Sequence, residues 1–290
     1  MQPVPLPVVL AVLFAALLHA SWNALIKSGK DKSLDTALVH SLGFFVAVPL
    51  LVHFGLPARE SWPFILASLV IHLGYYIALS GAYKHGDLGL TYPLMRGCAP
   101  LLVALGSAGL IGEALSHTAW LGVAVLCGGV VTLGLSRSAM HVDAGANRSK
   151  ALAFALANAV IIALYTVVDG LGVRASGNAV SYAAALFLFD GFPFMLLVLW
   201  RRSGRRREAL VYIRRRWPVA LAGAVASLAS YGIALWAMTR APVAVIAALR
   251  ETSVLFAALI GVWWLREPFG RQRAAGTLLV LGGELMLRLG

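Results

Sequence analysis

Charged residues are scarce in this 290-residue chain, at 12%, where a soluble domain carries about 25%. That scarcity excludes an ordinary water-soluble fold. The sequence has no Walker-type phosphate loop, no zinc-ligand spacing and no nucleophile elbow. A nucleotide-driven pump and a hydrolase therefore have no support, and the chain is not read as an enzyme. There are only two cysteines, Cys98 and Cys127, both inside apolar stretches. They are expected to be inert core thiols, and no metal or other cofactor is implied. The first apolar stretch has no basic n-region and runs on to Trp22, so it is read as a retained helix rather than a signal peptide.

What is abundant is apolar sequence, at 60% of residues with a mean hydropathy of +0.83. A hydrocarbon core about 30 Å thick takes roughly 20 apolar residues per helix. The chain divides into ten such stretches, near 6–26, 36–54, 62–83, 89–111, 117–136, 150–169, 179–200, 217–239, 242–265 and 272–289. None shows a period of two, which excludes strands. Turn and charge signals separate the stretches, such as Ser28-Gly29-Lys30-Asp31-Lys32, Pro57-Ala58-Arg59-Glu60 and the basic run Arg201–Trp217. The expected fold is an all-α membrane protein of ten transmembrane helices.

The two halves match each other. Tyr75 with Ile77-Ala78-Leu79 corresponds to Tyr231 with Ile233-Ala234-Leu235, and Lys84 to Arg240, at an offset of 156. Arg96 and Arg250, Glu113 and Glu267, and Gly122, Gly128 and Gly129 with Gly276, Gly282 and Gly283 match at 154. Five helices is an odd number, so the second repeat enters the membrane from the opposite side. The chain is thus expected to hold two inverted five-helix repeats, 1–140 and 141–290, as in many secondary transporters.

The net charge of +12 raises the question of nucleic acid. Its distribution answers it. Of the Lys and Arg residues, 18 lie in the loops after helices 1, 3, 5, 7 and 9, while 4 lie in the other loops and termini. The positive-inside rule makes the odd-numbered loops cytoplasmic and both termini periplasmic, in a bacterial inner membrane. The expected contacts of the basic loops, above all Arg201–Arg216, are anionic lipid headgroups and not nucleic acid.

Polar groups inside the spans are costly and mark candidate sites. Arg96 and Arg250 each sit inside a span, roughly 10–12 Å deep but from opposite faces, which brings them toward one level. A guanidinium grips carboxylate or phosphonate in a bidentate way. Either arginine could hold a substrate anion, or form an internal ion pair with Glu251 or Asp190. Glu251 could serve a substrate amine, carry a coupling proton, or pair with Arg96. His19, Trp22 and Asn23 lie on the first helix, with His19 and Asn23 one turn apart. His72, Tyr75 and Tyr76 on the third helix, Tyr92 on the fourth, Tyr165 on the sixth, and Tyr231 and Trp236 on the eighth offer aromatic rings with polar edges. Such rings suit an amphipathic ligand, or else simple helix packing. Asn158, Tyr165 and Asp169 share one face of the sixth helix, with Asp169 expected near the membrane edge. Pro93 and Pro100 flank Arg96 and are expected to loosen that helix. Glu113 and Glu267 end helices 4 and 9 and are expected to cap the next helix, and the repeated glycines are expected to pack helices closely.

The run His19-Ala20-Ser21-Trp22-Asn23 through Lys27, the stretch Ala78–Pro100, the pairs Gly112-Glu113 and Arg266-Glu267, and the duplication resemble the drug/metabolite transporter superfamily, specifically EamA-type ten-helix exporters. The chain is similar to the bacterial amino acid exporters of that group. It also resembles a branch associated with phosphonate use. The resemblance implies a secondary transporter that exports amino acids or related small metabolites. It also implies both termini in the cytoplasm, the reverse of what the loop charges say. Alternative substrates are a lipophilic cation or drug, recognised by Glu251, and a phosphonate-like organic anion. A membrane-embedded enzyme would need His, Asp and Glu clustered at a membrane face, which the sequence lacks.

Overall fold

Apolar runs of this length become helices because a backbone surrounded by lipid must satisfy its own hydrogen bonds. The computed structural model describes residues 4–85, 88–134, 147–265 and 270–289. Among these there are α-helices and short helical turns, and no strand. The helices are α1 Leu6–Lys27, α2 Lys32–Phe54, α3 Trp62–His85, α4 Leu88–Gly106, α5 His117–Gly134, α6 Asn147–Ala175, α7 Ala179–Phe189, α8 Gly191–Trp200, α9 Arg206–Met238, α10 Val243–Arg250, α11 Ser253–Leu265 and α12 Arg271–Leu289. Seven stretches are long and apolar enough to cross a membrane, and His117–Leu133 is a shorter apolar helix. Their outer faces carry bare apolar side chains such as Val52 (82% exposed) and Leu110 and Trp200 (each 72%). Water would penalise such a surface and lipid does not. The chain is a multi-pass membrane protein.

Three segments differ from the sequence expectation. The stretch 179–200 is kinked between α7 and α8 at Asp190. Pro193 accounts for this, because it has no N–H for the Phe189 carbonyl and its ring crowds that oxygen. The expected ninth span is split between α10 and α11 at Glu251 and Thr252. There the amides of Glu251, Thr252, Val254 and Leu255 each bond three residues back, a tighter 3₁₀ turn. No proline or glycine marks that break. The third difference is the basic run, expected as a loop, which is helical from Arg206 onward. Arginine is a good helix former, and the extra turns bury Ala209 against Leu34 and Ala37 of α2. By contrast, Pro93 and Pro100 leave α4 unbroken; the distortion comes later, in a π-helical turn over Ser107–Ile111.

Helix starts follow their capping residues. The Asp31 carboxylate accepts the Leu34 N–H at 3.1 Å to open α2. The Asn178 side chain accepts the Val180 N–H at 2.9 Å to open α7. Glu113 also caps, but not the next helix. It accepts the Val243 N–H of α10 at 2.9 Å and pairs with Arg174 at 2.6 Å. Its counterpart Glu267 lies outside the described residues.

Helix packing brings distant parts of the chain together. α3 packs on α6 and α1 on α9; α2 packs on α7, α8 and α9, α4 on α5, α6 and α10, and α1 on α10 and α11. The most extensive contact joins α5 to α12. There a Cβ on Gly122 would lie 3.0 Å from the Gly283 carbonyl oxygen, and one on Gly129 would lie 2.9 Å from that of Gly276. This pairing makes the two helices antiparallel and lets their backbones touch, as expected of the repeated glycines. Gly128 and Gly282 face open space instead.

Candidate functional site

Polar and aromatic residues from several helices meet around one cavity. A cavity of about 140 Å³ is lined by residues from α1, α2, α3, α4, α6, α7, α9 and α10, together with Asp190 at the α7–α8 junction. The first, third, fourth, sixth, eighth and ninth expected spans carry the candidate residues read from the sequence. The contributions of α2 and α7 were not expected.

One wall is a chain of rings. On α1, His19 meets Trp22 edge-on with centroids 5.1 Å apart, and Trp22 meets His40 of α2 at 5.9 Å. His40 continues to Tyr76 of α3 at 6.2 Å, and Tyr76 to Tyr75 at 5.5 Å. Tyr75 abuts Tyr165 of α6 at 6.2 Å, and Tyr165 stacks on His72 at 4.5 Å. Edge-to-face contacts of this kind fix ring positions beyond what burial alone does. The Asn23 amide donates to the His19 backbone carbonyl at 2.8 Å, and so not to the His19 ring. The Trp22 indole N–H is buried and has no hydrogen-bond partner.

The opposite side carries the charges. Arg96 of α4 and Arg250 at the end of α10 both line the cavity. Their settings differ. Arg96 pairs with Glu251 at 3.0 Å, with both side chains nearly buried. Arg250 lies over the ring of Tyr231, its guanidinium carbon 5.1 Å from the centroid. Among the described residues no carboxylate pairs with Arg250. Below that ring, the Tyr231 hydroxyl donates to Asp169, whose other oxygen accepts the Tyr182 hydroxyl at 2.9 Å. Asp169 is therefore fully buried within the bundle. Asp190 also lines the cavity; its Oδ2 accepts the Tyr76 hydroxyl at 3.0 Å and lies 3.3 Å from His40 Nδ1.

Of the residues singled out from the sequence, His19, Trp22, Asn23, Tyr75, Tyr76, Arg96, Tyr165, Tyr231 and Arg250 line this cavity. Glu251 does not; it lies behind Arg96, beside a much smaller cavity of about 10 Å³. Trp236 is likewise absent from the lining and instead carries the Arg240 guanidinium at 5.8 Å. Five residues past Tyr231, it points about 140° away around the helix. The Tyr92 side chain lies outside the described residues. His40, Asp190, Ser227 and Ser230 line the cavity but were not proposed for it. A histidine and an aspartate, each inside an apolar span, were the available signals.

Residues 149–289 match the model of the EamA-like transporter family. Over those residues the chain is similar to that family. Twenty-nine solved chains match it. One crystal structure aligns over 98% of this chain and 96% of its own, with a TM-score of 0.74 at 20% identity, a likeness of fold. No curated protein matches. The EamA-like half contributes Tyr165, Asp190, Tyr231 and Arg250 to the cavity.

Proposed function

We propose that this EamA-like chain is a secondary transporter that exports amino acids or related small metabolites by alternating access. The observation that carries this reading is the setting of Arg250, the cavity arginine that no carboxylate matches among the described residues. Arg250 has an aromatic ring beneath it and no carboxylate partner among the described residues. A substrate carboxylate would complete its charge, and the wall of rings would take the apolar part. Arg96, already matched by Glu251, would hold its place rather than bind. The same pair speaks against a lipophilic cation, because Glu251 is engaged and off the cavity. It also speaks against a phosphonate held by two free arginines.

The architecture we propose is ten spans in two inverted repeats, 1–140 and 141–290. The contacts support it: shifting each span by five turns α3–α6 into α9–α1, and α2–α9 into the α7–α3 contact. The glycine seam behaves alike, since the pair Gly122–Gly283 maps onto Gly276–Gly129. An in-plane twofold axis would make the fifth and tenth spans antiparallel, as α5 and α12 are. The loop charges favour periplasmic termini in a bacterial inner membrane, with exposed Arg205, Arg206 and Arg207 toward anionic headgroups.

The test is counterflow in proteoliposomes across a panel of amino acids. Exchange of at least one of them is expected. Well-folded protein that exchanges none of them would contradict the substrate class.

A further inference from the structure

Most of the buried or half-buried carboxylates of this molecule are matched by arginine. Asp35 pairs with Arg216 at 3.1 Å, Glu113 with Arg174 at 2.6 Å and Glu251 with Arg96 at 3.0 Å. Asp169 is held by two tyrosine hydroxyls away from the cavity. Asp190 is different. It lines the cavity with its side chain 13% exposed, and no lysine or arginine pairs with it. His40 and Tyr76 both approach Oδ2, which leaves Oδ1 without a hydrogen-bond partner among the described residues. A carboxylate among apolar helices is costly unless a cation balances it. Among the described residues, the group in contact that can supply that charge is His40, when it carries a second proton. The site is therefore built for a removable cation. The surrounding rings of Trp22, His40 and Tyr76 also suit an ammonium group, whose charge is attracted to aromatic faces.

We infer that Asp190 binds the ammonium group of the substrate, and that this ammonium and a proton on the His40–Asp190 pair occupy the site in turn. The inference rests on the amino acid reading above and names the opposite pole of the same site. In the exchange, the His40 N–H bond breaks and its proton passes to water, while the arriving ammonium donates hydrogen bonds to Asp190. One positive charge leaves and one arrives. Alternation of this kind makes substrate and proton compete, so an inward proton gradient drives the substrate outward.

Other titratable groups face this region. α3 presents Tyr76 and His72, α1 presents His19, and α9 presents Tyr231. Tyr165 of α6 lines the cavity, with Asp169 buried behind Tyr231, and the two arginines hold the other side. Of these, Tyr76 alone contacts Asp190 directly, together with His40.

The experiment uses the purified full-length chain in detergent. Binding of the standard L-amino acids is followed by tryptophan fluorescence. The tightest binder is then compared with its desamino analogue, which keeps the carboxylate and side chain and lacks the ammonium. A pH dye reads proton release from about pH 5 to about pH 8, the window in which histidine changes charge. The expected result is about one proton released per amino acid bound toward the acid end, and none with the analogue. The analogue should bind at least about tenfold more weakly, the worth of a hydrogen-bonded charge. Asp190→Asn, shown monodisperse by size exclusion, should bind both ligands alike and release nothing. Equal binding of the two ligands by the unaltered chain, or amino acid binding without proton release, overturns the Asp190 assignment and leaves the amino acid reading standing. Failure of every amino acid to bind removes both.

Discussion

Arg96 and Arg250 occupy matching positions in the two halves of the sequence, yet their surroundings have diverged. Arg96 sits in an unbroken helix and is neutralised by Glu251 at 3.0 Å. Arg250 ends α10 at a break, rests on the Tyr231 ring and has no acidic partner among the described residues. The residue that makes the difference is the neighbour of Arg250 itself. Glu251 turns away from the adjacent arginine and reaches the other half's arginine, because successive residues point about 100° apart on a helix. One half's arginine thus becomes part of the framework, and the other's remains available. On the proposed reading, the two matching cationic positions take different roles because a single glutamate pairs with one of them.

The largest expected effect tests the framework side. Glu251→Gln removes the charge that balances Arg96 and should cost about 3–5 kcal/mol of stability, the penalty for breaking a buried pair. Thermal unfolding in detergent would report it. The double change Arg96→Met with Glu251→Leu should recover most of that loss, since apolar groups of similar size tolerate burial. If the double variant is no more stable than Glu251→Gln, the pair is not what holds this region.

A smaller effect sharpens the comparison of the halves. Gly283→Ala and Gly129→Ala place a methyl 2.7 Å and 2.9 Å from the facing carbonyl oxygens of Gly122 and Gly276. Each should cost about 1–3 kcal/mol by overpacking, and the two should agree closely. Gly109→Ala, at a position with open space, is the control. The smallest effect concerns the caps that open the second helix of each half. Asn178→Ala should cost about 1 kcal/mol. Asp31→Ala should cost somewhat more, because Asp31 also pairs with Arg202 at 2.9 Å. Equal losses would mean that the Arg202 contact contributes nothing.

How far these features could be read from the sequence depended on whether their cause was local. Helices such as α1 and α3 were legible because 20 apolar residues in lipid have one solution. The kink at Asp190 had a local mark in Pro193. The break at Glu251 had only a weak one, in Thr252, Ser253 and Val254, which are poorer helix formers than the residues before them. The aromatic wall was mostly legible as tyrosines and histidines at helical spacing. Which face of α9 meets the cavity was not; Tyr231 lines it and Trp236 does not. His40 was not singled out and Asp190 was named only as a partner for an arginine; the packing of α2 on α7 and α8 makes them a pair. The same holds for Asp169, which looks terminal in its helix until Tyr182 and Tyr231 close over it.

The most direct measurement compares counterflow of the best amino acid substrate in two altered chains, each checked for monodispersity. In Arg250→Ala the rate should fall about a hundredfold, as expected for removing the partner of a desolvated charge. In the Arg96→Met, Glu251→Leu chain it should stay within about threefold of the unaltered protein, a change well under 1 kcal/mol. The opposite pattern, with transport surviving the loss of Arg250 and collapsing with the Arg96–Glu251 pair, would contradict the division of roles between the two arginines.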